Sequence, residues 1–230
     1  MKFAHIADTH IRNLKYHEEY QIIFNKIYAE LKKENVDYII HCGDICHTKT
    51  QISPEYVEMA SNFLSSLADI APTYIILGNH DGNLRNGDRQ DSITPIVDAL
   101  DHKNLHLLKN SGETILNDNF TLNVLSVFDT DNWVKPTDKS KTNIALYHGS
   151  VTGCMTDIGW KMEHGENDIS IFKDCADFVP LFKFILSFSS LRTSLISSLN
   201  SSAFIWSPSC IPSFFSSFDP LDVALVTATK

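Results

Sequence analysis

The chain has 230 residues, 43% hydrophobic and 20% charged, with a formal net charge of −9 at pH 7. That length suits one large domain or two small ones, and the composition is globular, with material for a sizeable core. The acidic balance argues against a generally basic nucleic-acid-binding surface, although bound cations let a negative protein hold phosphates.

Phe3-Ala4-His5-Ile6-Ala7 reads as a buried strand. Between Glu18 and Glu34, Tyr20, Ile23, Phe24, Ile27 and Leu31 recur at helical spacing. Tyr38-Ile39-Ile40-His41-Cys42 is a second strand. Ser53-Pro54 predicts a helix start, with Ser as N-cap and Pro at the first helical position. Val57, Ala60, Leu64 and Leu67 would form its apolar face. Thr73-Tyr74-Ile75-Ile76-Leu77 is a third strand, so the β-α-β-α-β order predicts a parallel sheet with helices on its faces. From Leu105 to Leu146 the runs shorten. Leu105–Leu108, Thr114–Leu116, Leu122–Val127 and Ile144–Tyr147 read as strands joined by Asn/Asp/Gly turns, with no clear helix between them. A sandwich of two sheets flanked by helices accommodates both halves.

After about Asp177 the composition breaks. Thirteen of the 31 residues 187–217 are Ser, and no Gly follows Gly165, no His follows His164 and no Glu follows Glu166. No element is predicted there, and residues beyond Val179 are expected to be loosely packed. Residues 1–179 therefore read as one domain, and 180–230 as an unassigned Ser/Phe-rich tail, out of frame or disordered.

In open α/β sheets, ligands bind beyond the carboxyl ends of the strands. The first strand runs into Asp8-Thr9-His10, the second into Gly43-Asp44, and the third into Gly78-Asn79-His80-Asp81. The strand ending at Tyr147 runs into His148-Gly149. Singly these are weak signals: an Asp-x-His is as readily a turn carboxylate beside a surface histidine. Gly-Asn-His-Asp is far rarer by chance. Together they deliver carboxylates, an amide oxygen and imidazoles to one sheet edge, a donor set for a pair of divalent cations such as manganese or iron. Asp44 is the natural aspartate to serve both ions.

These four motifs resemble those of the calcineurin-like metallophosphoesterases. Gly43-Asp44-Ile45-Cys46-His47 followed by Ser53-Pro54-Glu55 is most similar to the nuclease subunit of SbcD-type repair and phage recombination complexes. The Asp-Arg-Gly that protein phosphatases carry after this motif is absent. The resemblance covers roughly residues 1–179 and implies an α/β metallophosphoesterase fold, incomplete towards its C-terminus. It further implies that Asp8 and His10 hold a first metal, that Asp44 bridges, and that Asn79 and His148 hold a second. Manganese is the expected ion, with magnesium or iron as alternatives. His80 would stand beside the scissile phosphate as proton donor or charge stabiliser, and Asp81 would orient its ring. The implied activity is hydrolysis of DNA as an endo- or exonuclease. The family's last motif, Gly-His-x-His or Gly-Asp-x-His, is missing: Asp177-Phe178-Val179 starts such a strand, but Pro180-Leu181-Phe182-Lys183-Phe184 follows. A catalytically inactive scaffold and a small-nucleotide phosphoesterase are therefore alternative readings. An SMC-like ABC ATPase partner is expected from the family, although no segment recognisable as its binding site is present, and a homodimer is conceivable.

Arg12, Lys15 and His17, with Arg85 and Arg89, are either phosphate contacts or solvated loop residues. Trp133 and Trp160 either stack on bases or pack. His164 reads as a loop residue, and His5 and His41 as satisfied core histidines. Five cysteines, odd in number and without a close CxxC pair, point to a reducing compartment, with Cys42 and Cys46 as buried packing residues. With neither a signal-peptide pattern nor an 18-residue apolar run, the expected location is the cytoplasm, that of the host if the protein is viral.

Overall fold

The computed structural model describes residues 1–154 and 161–172 and, as backbone, the strands Phe178–Val179, Phe204–Ile205 and Asp222–Thr227. It divides into two compact units, the first built mainly from Met1–Leu107 and the second mainly from Leu108–Phe184. Among the described residues no helix is long and apolar enough to cross a membrane.

The first unit is a β/α alternation: β1 (Lys2–Ala7), α1 (His17–Glu34), β2 (Tyr38–His41), α2 (Pro54–Ile70), β3 (Thr73–Ile75), α3 (Thr94–Leu100) and β4 (Leu105–Leu107). The four strands pair in parallel in chain order, with Ile6 opposite His41 and His41 opposite Ile75. This register brings the ends of β1, β2 and β3 level, and with them the three motifs.

Helix α1 buries Tyr20, Phe24, Ile27 and Leu31, a three- and four-residue spacing that forms one stripe. It ends where Asn35 turns left-handed and its N–H returns to the carbonyls of Leu31 and Lys32. Helix α2 starts at Ser53, whose hydroxyl accepts the N–H of Tyr56, with Pro54 in the first turn. Its buried face is Tyr56, Met59, Ala60, Phe63, Leu64, Leu67 and Ala68, while Val57, expected in that face, is 38% exposed. A helix of 3.6 residues per turn swings position 57 away from the line through 56, 60, 63 and 67. Phe24 and Phe63 stack at 4.1 Å and join the two helices. Truncating such a buried ring to Ala costs about 3–5 kcal/mol. Helix α3 was not predicted. Asp91 starts it, its carboxylate accepting the N–H groups of Ile93 and Thr94 and the Thr94 hydroxyl.

The second unit holds β5 (Gly112–Ile115), β6 (Phe120–Leu125), β7 (Thr142–Tyr147), a short ribbon of β8 (Val151–Thr152) with β9 (Asn167–Asp168), then β10 (Phe178–Val179) and β11 (Phe204–Ile205). Its main sheet runs β11-β10-β7-β6-β5, with only the β5–β6 pair antiparallel. Leu125, Ala145, Tyr147, Val151, Cys154 and Phe172 form its core. A last strand, β12 (Asp222–Thr227), belongs to the first unit and pairs antiparallel with β1, Lys2 opposite Thr227. β11 and β12 lie where no element was predicted. The rest of the Ser-rich tail, with its expected loose packing, falls outside the described residues, as does Trp160.

His5 and His41 are buried as expected, but each leaves one ring nitrogen, His5 Nε2 and His41 Nδ1, without a hydrogen bond. Burial pushes the His5 imidazole down to about 4, against a smaller opposing pull from Asp8. Between that value and the ordinary 6.5 the unfolded chain binds a proton that the folded chain refuses, so stability falls as pH falls through this window. At pH 5 the loss from this one group is about 2 kcal/mol. Replacing it by Leu should flatten the decline of urea-unfolding free energy between pH 7 and pH 5. An equally steep decline in His5→Leu would place the acid sensitivity elsewhere.

Candidate metal centre

The pairing of β1 with β2 continues beyond both strands. Cys42 N–H donates to Ile6 O, Asp8 N–H to Gly43 O, His10 N–H to Asp44 O and Ile11 N–H to Ile45 O, at 2.8–3.0 Å. Asp8-Thr9-His10 therefore lies along Gly43-Asp44-Ile45 as a second ladder. The path is conformationally costly: Asp8 (φ 54°), His10 (φ 43°) and Asp44 (φ 55°) are all left-handed. Non-glycine residues seldom adopt this region, and each such residue costs on the order of 1 kcal/mol or more unless its surroundings hold it. Here the ladder holds all three, and all three are expected ligands.

Nε2 of His10 lies 3.4 Å from Asp8 Oδ1 and 3.6 Å from Asp44 Oδ2, and ligand atoms of Asp8 and Asp44 come within 4.8 Å of each other. Charge-assisted hydrogen bonds are shorter, about 2.7–2.9 Å, so these groups surround a point rather than pair directly. Asp8 Oδ2 and His10 Nδ1 are buried with no hydrogen-bond partner. A buried carboxylate oxygen left unsatisfied is expensive, and a divalent cation would satisfy it. The residues fit a metal on that ground.

His80 joins from the loop after β3. Its N–H donates to Asp44 Oδ1 (2.8 Å), its ring meets that of His10 edge-on at 4.8 Å, and its ligand nitrogen falls within 4.8 Å of those of His10 and Asp44. Its Nδ1 lies 2.8 Å from the carbonyl of His47. A carbonyl only accepts, so Nδ1 carries the proton and Nε2 is the ring's open nitrogen. Asn79 is exposed beside it, with its carbonyl held by Lys49 Nζ at 2.8 Å.

Asp81 has a different job from the one expected. Fully buried, its carboxylate accepts the backbone N–H groups of Gly78 (2.9 Å), Asp44 (2.8 Å) and Cys46 (2.8 Å). It ties the β2 loop to the β3 loop, and the His80 ring is oriented by the His47 carbonyl instead. The reason is geometric: three backbone donors converge on a carboxylate that lies beneath the loops.

His47 itself received no role from the sequence. Half-buried, its ring stacks on His80 (6.1 Å) and meets His10 edge-on (5.6 Å). Burial, then the positive charge of Arg12, His10 and His80, holds it down to about 4, so it is neutral at pH 7. Its place in Gly43-Asp44-Ile45-Cys46-His47 was the available signal.

Of the candidate phosphate contacts, Arg12 is half-buried with its guanidinium 5.8 Å from the Tyr16 ring, and the His17 Nε2–H donates to the Arg12 carbonyl. Lys15, Arg85 and Arg89 are exposed. Cys42 and Cys46 are buried packing residues.

In the second unit, His148 follows β7 and is buried. The neighbouring Tyr147 hydroxyl accepts from Asn167 Nδ2 (2.7 Å) and lies 3.4 Å from Glu166 Oε2. A Cβ on Gly149 would overlap that hydroxyl and Glu166, so the turn after His148 has no room for a side chain. Trp133 packs: its indole N–H donates to Ser126 O and its ring stands edge-on to Tyr147. His164 is exposed.

A family model described as calcineurin-like phosphoesterase matches residues 1–181. The chain belongs to that family. Calcineurin-like phosphoesterases are metal-dependent, and the cluster around Asp44 is of the kind they require. An uncharacterized protein of Acanthamoeba polyphaga mimivirus is 40% identical over 70% of this chain, which is 13% of that protein. The DNA double-strand break repair protein Mre11 of Archaeoglobus fulgidus is 31% identical over 37% of this chain and 20% of its own length. The chain thus spans only a small part of these relatives. The nuclease MPE of Pseudomonas putida is similar over 69% of this chain and 66% of its own, at 15% identity and a TM-score of 0.39.

Two substitutions test the scaffold of the phosphoesterase site. Asp81→Asn removes a charge that serves three backbone donors and should cost about 2–3 kcal/mol in urea unfolding. Gly149→Ala should cost about 1–3 kcal/mol through overpacking, partly relieved in a Tyr147→Phe background. An unperturbed midpoint in either single variant would contradict the geometry described.

Proposed function

We propose that this chain is a two-metal phosphodiesterase acting on DNA. One observation supports it above the others: Asp8, His10 Nε2 and Asp44 surround a common point, and Asp8 Oδ2 is left buried without a partner. In this reading Asp8 and His10 hold one ion, Asp44 serves both, and Asn79 and His148 hold the other. Manganese suits the mixture of carboxylate, amide and imidazole donors, with magnesium and iron as alternatives. Bound there, the ions supply charge neutralisation of the phosphodiester and activation of an attacking water.

The side chains do the rest. Asp81 holds the loop of Asp44 against that of His80 and so sets the distance between metal ligands and proton donor. His80, with Nδ1–H engaged by His47 O, offers only Nε2 to the leaving oxygen, and gives a proton there as imidazolium. DNA as substrate rests on the archaeal relatives, which are named for double-strand break repair. The SMC-like ATPase and a second copy remain the partners to seek.

One observation favours a scaffold over an enzyme. No histidine follows His164, so within these 230 residues each ion keeps three protein ligands. Losing even the partners that orient a metal's ligands typically costs about 10–100-fold in affinity. Both ions should therefore bind more weakly than they would with a fourth protein ligand.

The experiment is manganese titration by calorimetry alongside hydrolysis of a labelled duplex. Parent protein should cleave with manganese and stop in chelator. Asp44→Asn should lose metal and cleavage together. His80→Ala should keep its manganese and lose about 10²–10⁴-fold in rate. Metal binding without cleavage in the parent would establish the scaffold, and equal metal loss in both variants would remove the division of roles.

A further inference from the structure

Beside His80 lies an open groove of about 340 Å³ that no motif assigned, lined by His47, Thr48, Lys49, Thr50, Asn79 and His80. Every lining side chain carries a polar nitrogen or oxygen, and among the described residues of this lining there is no carboxylate. Of these lining residues Lys49 carries a fixed charge, and it is positive.

The loop that forms one wall is held at three places. His47 N–H donates to Ile11 O, the Ser53 hydroxyl to Asn13 O, and Lys49 Nζ to Asn79 O at 2.8 Å. The last bond crosses the groove and sets the ammonium, otherwise exposed, over the loop that carries His80. One such bond leaves an ammonium two of its three donors. Ammonium, hydroxyl and amide groups are those that contact nucleic-acid backbones, and they carry no base information.

We propose that this groove seats the phosphate next to the one being cleaved, on a polynucleotide strand, with Lys49 as its cation and Thr48 and Thr50 as hydroxyl contacts. The proposal rests on the phosphodiesterase reading and gives it a substrate class: a strand with at least two consecutive phosphates. A nucleoside polyphosphate offers the same chemistry from another source.

The test is binding without turnover: fluorescence anisotropy of a labelled single-stranded 12-mer, with calcium in place of manganese, over a salt series. Lys49→Ala should weaken binding about tenfold, as expected for one charge-assisted hydrogen bond. It should also flatten the slope of log affinity against log salt by about 0.7, the value for one phosphate contact on a single strand. Lys49→Arg should restore both. Thr50→Val, which leaves the Lys49–Asn79 bond intact, should weaken binding without changing the slope. Lost affinity with an unchanged slope in Lys49→Ala would make the lysine a loop strut and overturn the proposal. So would parent-like binding in both Lys49→Ala and Thr50→Val. Displacement of the 12-mer by a nucleoside triphosphate at equal phosphate concentration would overturn the polynucleotide source. Failure of the underlying reading is seen separately, as absent manganese-dependent cleavage by the parent.

Discussion

The carboxylate of Asp81 lies under the site and accepts three backbone N–H groups, from Gly78, Asp44 and Cys46. Two of those donors belong to the loop after β2 and one to the loop after β3, so a single buried charge ties two loops that His80 and Lys49 also bridge. Without it the N–H groups would face each other beneath the surface with no acceptor, and buried amides tolerate that poorly. The neighbouring ladder from Asp8 to Ile11 against Gly43 to Ile45 does the same for the loops after β1 and β2. Together they hold Asp8, His10 and Asp44 in left-handed conformations that these residues would not choose alone.

That rigidity has a chemical consequence. Carboxylates and imidazoles kept apart by about 3.5 Å neither pair nor disperse, and a buried oxygen and nitrogen stay unsatisfied. A protein that relaxed this cluster would gain stability and lose its affinity for a cation. Calcineurin-like phosphoesterases are metal-dependent, and this chain holds an unpartnered carboxylate oxygen of Asp8 where a cation would satisfy it. His80 shows the same economy: its N–H steadies Asp44 while its ring is turned by a carbonyl, so one residue serves both loops.

In the second unit His148 follows directly on β7 and is buried. Tyr147 is the hub, touched by Trp133 and Phe172 and hydrogen-bonded by Asn167, with Gly149 leaving the space its hydroxyl needs. The ribbon of β8 and β9 brings residues 165–168 back across the turn after His148, through Gly165 N–H to Thr152 Oγ1 and Glu166 N–H to Ser150 Oγ.

Much of this was legible in the residue order. Short apolar runs located β1, β2, β3, β5, β6 and β7, and a 3.6-residue period located α1 and α2, because burial requires apolar side chains and a helix buries one stripe. Motif chemistry pointed to Asp8, His10, Asp44 and His80, whose ligand atoms the structure brings close together. Other features were not legible. Val57 pointed outward because a helix's face is set by what it packs on, and α3 escaped because its start is a local Asp91 cap rather than a periodic run. The role of Asp81 was misread because its partners are backbone amides, and an amide looks the same in every sequence. Which amides converge on a carboxylate is decided by register and loop path, and those exist only once the strands have paired.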